Sequence, residues 1–325
     1  MSEMTYAEAK AAALRQVLEE DERVTLIGSS FFGLSPFRRL TDSLPAEYPT
    51  RVYKIPIAEL GACGCGVGAA MAGLRPIVDI STASFIFEAW PQVVNEAPHV
   101  HYMSGGRARA PVVFHVLHGL RGGGAAQHSH SPQSMLWNTP GLEIVLPASP
   151  ADVKGLLISS VRSDNPTVFL DQPVLFGMRG EVPEGDAAIP LGKAEVKRAG
   201  KDVTVVATSA AVQQCLKIAA ALAGEGIDVE VVDPRTLVPF DAETIYASVG
   251  KTGRLVIVDE THQSCGVASE IAARVAEEAF DALRGPIRRV CTEDVPIPFA
   301  PVLETAISPN EEKIIRAIKL AVGAA

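Results

Sequence analysis

No stretch of this sequence holds the roughly 18 consecutive apolar residues that a bilayer-crossing helix needs, so no membrane span is expected. Basic runs are missing too. The 29 Lys and Arg lie scattered among 38 Asp and Glu, the formal net charge is -9, and there is no basic stripe of the kind nucleic acid requires. Cysteine is scarce, and five in 325 residues make no disulfide framework. Cys63 and Cys65 form a C-x-C in a glycine-rich stretch. With no second pair and no nearby His, that spacing suits buried thiols better than a metal ligand set. No internal repeat or low-complexity tract is visible. The opening MSEMTYAEAKAAALRQ lacks a cationic segment leading into an apolar one. It reads as a helix rather than a signal peptide, and the expected location is the cytoplasm.

What is present is enough apolar residue, 47% of the chain, for two medium domains. The 27 Gly and 23 Pro point to many short turns. In the first half, β-branched runs at 24–30, 51–57, 73–81, 109–117, 141–149 and 165–173 read as strands. Residues 59–72, 84–104 and 150–163 between them read as helices. Strands alternating with helices imply a parallel sheet covered on both faces. GMRGEVPEGDAAIPLG (177–192) then breaks the pattern with Gly, Pro and acid. The alternation restarts with KDVTVVATS (201–209), IDVEVVDPRTL, RLVIVDE (254–260) and IRRVCTE. The expected fold is α/β, two doubly wound parallel-sheet domains. They span 1–180 and 201–325, joined by a linker over 181–200.

Sheets of this kind place ligands beyond the carboxyl ends of their strands. Glu59 lies there, directly after VYKIPI, and opens the small-residue helix LGACGCGVGAAMAG, whose glycines admit a close neighbour. The stretch contains G-x-G, but the acid and the missing third glycine make it a poor dinucleotide loop. On its own, Glu59 also reads as a carboxylate favoured by a helix dipole. His128, in LRGGGAAQHSHSPQ, follows the fourth strand at the same kind of edge, and a solvated loop histidine is the alternative there. His115 and His118 read as satisfied residues at a strand end. Asp233, Arg235, Asp241, Asp259 and Glu260 read as structural or interface groups, caps among them.

Taken together, these segments match a family in order and spacing over nearly the whole chain. IPIAELGACGCGVGAAMAGLRPIVDI, QVVNEAPHVHYMSGG, AAQHSHSPQSMLWNTPGLEIVLPASPADVKGLL, GEVPEGD, VDPRTLVPFD and DVPIPFAPVLE carry the resemblance. The chain resembles the β subunit of the thiamine-diphosphate-dependent 2-oxo acid dehydrogenase first component (pyruvate, branched-chain 2-oxo acid or acetoin), in the transketolase-like superfamily. The resemblance implies a pyrimidine-binding domain followed by a transketolase C-terminal-like domain. It implies that Glu59 hydrogen-bonds N1′ of the cofactor's aminopyrimidine, that Ile57 and Phe85 pack around that ring, and that His128 lines the funnel to the substrate. It implies oxidative decarboxylation of a 2-oxo acid with acyl transfer to a lipoyl group on an acyltransferase core. A potassium site at carbonyls near SSVRSDNP (159–166), where Asn165 matches, is implied as well.

The G-D-G segment that holds magnesium and the diphosphate in the family's α subunit is not found here. The resemblance therefore implies an α partner, an α2β2 assembly and a chain inactive alone. The departures are GSSFFGLSPF (28–37), where Gly28-Ser29-Ser30 replaces a family acidic pair, Ser81 for a polar amide, Phe85 for a tyrosine, and His130 for a Gln. Two rivals stand beside this reading: a subunit of a split transketolase, and a scaffold without catalysis.

Overall fold

A computed structural model describes residues 1–28 and 31–324. The chain divides into two units, 1–119 with 135–191, and 120–134 with 192–325. It runs through β1 (Ser2–Thr5), α1 (Tyr6–Glu20), β2 (Val24–Ile27), α2 (Leu44–Glu47), β3 (Val52–Tyr53), α3 (Glu59–Met71) and β4 (Arg75–Thr82). Next come α4 (Ala97–Met103), β5 (Val113–Leu117), α5 (Ala125–His128), α6 (Gln133–Trp137), β6 (Glu143–Val145), α7 (Pro150–Arg162), β7 (Thr167–Asp171) and β8 (Arg179–Val182).

In the first unit, α1 starts where Thr5 and Glu8 form a capping box. The Thr5 side chain accepts from the Glu8 N–H at 3.1 Å, and the Glu8 carboxylate accepts from the Thr5 N–H at 2.7 Å. Ser149 caps α7 in the same sense, with Pro150 at its first turn. Six strands run parallel in the order β6-β7-β5-β4-β2-β3. β2, β5 and β7 are buried along their whole length, as a parallel sheet covered on both faces requires. α1 packs against α7, burying Leu14, Val17 and Leu18, each side chain stabilising by about 1.5–3 kcal/mol. α3 packs on β4 through Gly66, where an added Cβ would clash with Val78 Cγ2. Gly66→Ala is therefore expected to destabilise by about 1–3 kcal/mol through overpacking, read as a lower urea midpoint at unchanged slope. An unchanged midpoint would mean that the helix can shift off the sheet freely.

Several elements differ from the sequence reading. The run at 51–57 contributes strand only at Val52–Tyr53. The expected helix over 84–104 is a 3-10 turn at Ala83–Phe87, a widened π turn at Pro91–Glu96, and α4. Pro91 and Pro98 each remove a backbone donor, which breaks a single continuous helix. β1 pairs antiparallel with β8, an addition that a four-residue polar segment did not announce. Part of the expected linker is ordered, with Glu195–Arg198 as a strand.

The second unit holds β9 (Glu195–Arg198), β10 (Val203–Ala207), α8 (Ala210–Ala223), β11 (Val229–Asp233), β12 (Thr236–Val238), α9 (Ala242–Thr252) and β13 (Leu255–His262). It ends with α10 (Val267–Glu278), β14 (Arg288–Thr292), α11 (Pro301–Ile307) and α12 (Glu311–Val322). Its sheet has the order β14-β13-β10-β11-β9, parallel except for β9. α8 and α12 touch each other on one face, and α9 and α10 on the other. Asp241 caps α9, accepting from the Thr244 N–H at 3.3 Å and the Ala194 N–H at 3.0 Å, and Gly253 ends the helix at φ 71°. Asp241→Ala is expected to lower stability by about 1–2 kcal/mol in urea denaturation. A loss of only a few tenths would show that water replaces the cap. Among the described residues, no helix is long and apolar enough to cross a membrane.

Candidate functional site

Because β2, β3, β4 and β5 are parallel, their carboxyl ends share one edge of the first unit's sheet. β2 leads to β3 on one side and β4 leads to β5 on the other, so the strand order reverses between β2 and β4. Such a switch point is where ligands sit in open α/β sheets. The end of β2 passes very close to β4: Gly28 has φ +142°, and a Cβ there would lie 2.6 Å from Asp79 Cβ.

Beyond β3 the chain runs without regular secondary structure through Ile57, 89% exposed, and enters α3 at Glu59. Ala58, at the cap position, offers no side-chain acceptor, so the helix N-terminus has Glu59 as its first-turn acid. The Glu59 carboxyl is half-buried and has no hydrogen-bond or ion-pair partner among the described residues. One turn on, burial first and the Glu59 charge second push the Cys63 thiol up to about 12. Cys65 is exposed on another side of the helix.

Phe85 reaches the same edge from β4, two strands from β3 and so about 10 Å across the sheet. It is half-buried in the turn Ala83–Phe87. That turn is aimed by a bulge: the β4–β5 register shifts between Asp79 and Ser81, and Ser81 sits at φ 65° with its N–H donating to Asp79 Oδ1 at 3.0 Å.

Under this bulge lies a buried ionic cluster. Asp79 Oδ1 is 3.1 Å from His115 Nδ1, and His115 Nε2 is 2.8 Å from Asp171 Oδ2. Lys10 Nζ donates to Asp171 Oδ2 at 2.6 Å and to the Phe31 carbonyl, and the Tyr6 hydroxyl donates to Asp171 Oδ1. The Lys10 ammonium also lies over the Phe32 ring, 4.1 Å from its centroid. Burial opposes ionisation of Asp171, but Lys10 and His115 outweigh it and hold the carboxyl far below the usual carboxylate range. The cluster joins α1, β7, β5 and β4, the elements that position the edge. His115, read from sequence as a satisfied strand-end residue, is its centre.

The chain leaves the first unit after Gly119, and Leu120–Ser134 belongs with the second. Two carboxylates hold this loop there. Glu260 accepts from the Leu120 N–H at 3.3 Å, and buried Glu304 accepts from the N–H groups of Gly122 and Gly123 at 2.7 and 3.0 Å. Burial pushes the Arg121 guanidinium down, while Glu304 and Glu260 draw it back up. His128 ends α5 in this loop and is exposed. Burial first, then His262, pushes His130 below its ordinary value. The structure thus brings Ile57, Glu59 and Phe85 to one sheet edge, and sets His128 on a loop anchored in the other unit.

Residues 2–172 match the transketolase pyrimidine-binding domain and residues 192–314 the transketolase C-terminal domain. Over 98% of its length the chain is 42% identical to the pyruvate dehydrogenase E1 component subunit beta of Rickettsia felis, of which it covers 98%. The chain belongs to the transketolase-like family of E1 β subunits. It is also 38% identical, over 96% of its length and 95% of the relative's, to the acetoin:2,6-dichlorophenolindophenol oxidoreductase subunit beta of Bacillus subtilis. A split-gene transketolase, solved as an inactive beta4 tetramer, superposes with a TM-score of 0.80 at 24% identity over 99% of both chains; that likeness bears on the fold.

For an E1 β-type chain, the remaining expected positions fall as follows. Ser29 and Ser30, the replacement for the acidic pair, lie outside the described residues. Asn165 is exposed, and its amide donates to Glu143 Oε1 at 3.0 Å. In the segment 159–166, where potassium was expected, the carbonyls of Val161 and Ser163 accept from Arg75 Nη1 at 3.0 and 2.7 Å. A guanidinium already uses two of its oxygens. Among the described residues no group of three or more His, Cys, Asp or Glu is arranged to hold a metal.

Proposed function

We propose that this chain is the cofactor-activating half of a thiamine-diphosphate-dependent 2-oxo acid dehydrogenase first component, paired with an α subunit that holds magnesium and the diphosphate. One observation carries the reading: a half-buried carboxyl, Glu59, stands unpartnered at a helix N-terminus on the carboxyl edge of a parallel sheet. A carboxyl in that setting fits an aminopyrimidine, whose ring nitrogen needs one proton-exchanging partner. The adjoining exposed apolar side chains, Ile57 and Leu60, fit the cover that a ring and a second polypeptide provide.

Thiamine diphosphate, when bound, would supply the carbon nucleophile and electron sink that decarboxylation of a 2-oxo acid needs. Glu59 holds and moves the proton at N1′. Ile57 and Phe85 orient the ring and exclude water from its face. His128, exposed at the end of α5, donates to the substrate or to the acceptor sulfur. Asn165 serves Glu143, and Arg75 already occupies the carbonyls of Val161 and Ser163, so this segment does not fit a potassium ion.

Two acceptors fit this reading: a lipoyl acyltransferase core, which the family resemblance implies, and a redox dye, which the name of the acetoin-oxidising relative gives. The substrate is a 2-oxo acid or acetoin. Titrating thiamine diphosphate and magnesium into the chain with and without its α partner tests the division of labour. Tight binding is expected only in the pair, and submicromolar binding to the lone chain would overturn it. A turnover screen then separates this reading from a split transketolase: 2-oxo acids or acetoin should react, and turnover of sugar phosphates alone would favour the rival. His128→Ala is expected to spare cofactor binding and slow turnover by about 10²-fold or more. Wild-type rates with both a dye and a lipoyl acceptor would leave His128 a surface residue.

A further inference from the structure

The second unit contains a cavity of about 400 Å³ beside β14, the edge strand of its sheet. It is walled by Arg288 and Arg289 from that strand and by Lys313, Arg316, Ala317 and Leu320 from α12. The four α12 residues recur at helical spacing, so one face of the helix turns toward the cavity. In a chain of net charge -9, four cations and a single carboxylate, Glu293, line this space. Glu293 is engaged, accepting from Lys313 Nζ at 2.8 Å. Arg289 is partly engaged too, with Nη1 donating to the Gln263 carbonyl at 2.8 Å and to Ser269 Oγ at 2.7 Å.

The other two guanidiniums are not engaged. Arg288 Nε is shielded from solvent and has no hydrogen-bond partner, and Arg316 has neither hydrogen bond nor ion pair among the described residues. A buried donor without an acceptor costs about 1–3 kcal/mol, which the oxygen of an anion would offset. Burial pushes the Cys291 thiol, also in the lining, up to about 12, so it stays neutral and does not repel an anion.

We propose that this cavity is a binding site for a small phosphorylated ligand with an apolar body. The cations approach from two directions, a strand and a helix. A planar carboxylate is filled by one guanidinium fork, whereas a tetrahedral phosphate presents oxygens to both. Val290, Ala317 and Leu320 supply an apolar wall, and the volume suits a ligand of small-molecule size. Nothing in the cofactor chemistry of the first unit uses these residues.

Phenyl phosphate is the probe, titrated by calorimetry into the full chain, with benzoate as the carboxylate counterpart. Saturable one-to-one binding of phenyl phosphate, tighter than benzoate, is expected. Arg316→Gln, at an exposed position that leaves packing untouched, should weaken it by about tenfold or more. Arg288→Gln with Arg316→Gln should weaken it by about a hundredfold. Arg274→Gln, paired with Glu270 on α10 away from the cavity, should bind as wild type does. The proposal is overturned if phenyl phosphate fails to saturate, if both cavity variants bind as wild type does, or if benzoate binds equally well.

Discussion

Glu59→Gln is expected to lower turnover by about 10²–10⁴-fold while α3, the assembly and cofactor binding persist. The amide keeps the shape and a hydrogen bond but cannot take and return a proton at N1′. No substitute stands nearby: Glu59 is the acid in the first turn of α3, and its cap residue is an alanine. The fold should be indifferent to the change, because the carboxyl has no partner among the described residues whose loss would be felt. The decisive comparison is turnover against thiamine diphosphate affinity, both measured with the α partner present. A variant within about threefold of wild type, cofactor bound, would show that proton handling lies elsewhere.

Asp171→Asn is expected to have the largest effect on stability, a loss of about 3–5 kcal/mol, because it strands the Lys10 ammonium in a fully buried site. The wild-type cluster also fixes the direction of acid sensitivity. Asp171 is held below its unfolded value, so its contribution is complete above about pH 4 and is lost as pH falls further. Urea midpoints measured from pH 7 down to pH 3 should therefore drop more steeply for wild type than for the variant. Removing both charges, in Lys10→Met with Asp171→Asn, should recover part of the loss, and the double-mutant cycle gives the coupling. A single-variant loss under about 1 kcal/mol would mean that water reaches the cluster.

The sheet was legible because its strands are β-branched runs that the fold buries whole, as in VTVVA and VEVVD. The place of Glu59 at a strand end was legible because the acid falls between an apolar strand and a glycine helix, but those residues alone suit a helix dipole equally, and its role rests on the family resemblance. Lys10 carries a sequence signal of its own. Tyr6, Lys10 and Leu14 recur at helical spacing on a buried face, and a lysine in such a stripe predicts a buried acid opposite. Asp79, His115 and Asp171 each interrupt a buried strand, but only the parallel register brings them together. The ends of elements were read least well. Pro91 and Pro98 divided one expected helix into three pieces, and the pairing of β1 with β8 depends on residues more than 170 positions apart. The anchoring role of Glu304 was hidden for the same reason: its partners are the N–H groups of Gly122 and Gly123, which side-chain patterns do not reveal.

The loop Leu120–Ser134 sits between two stretches of the first unit in sequence but is built into the second. That arrangement bears on how such genes can recombine. A crossover between residues 191 and 192 would bring in foreign counterparts of Glu260 and Glu304 while keeping the resident loop that those carboxylates must hold. Chimeras between relatives should therefore keep a formed loop when 120–134 travels with 192–325, and lose it when the second unit is exchanged alone. A formed loop around His128 therefore depends on the carboxylate at 304, although the two positions lie on opposite sides of the obvious domain boundary.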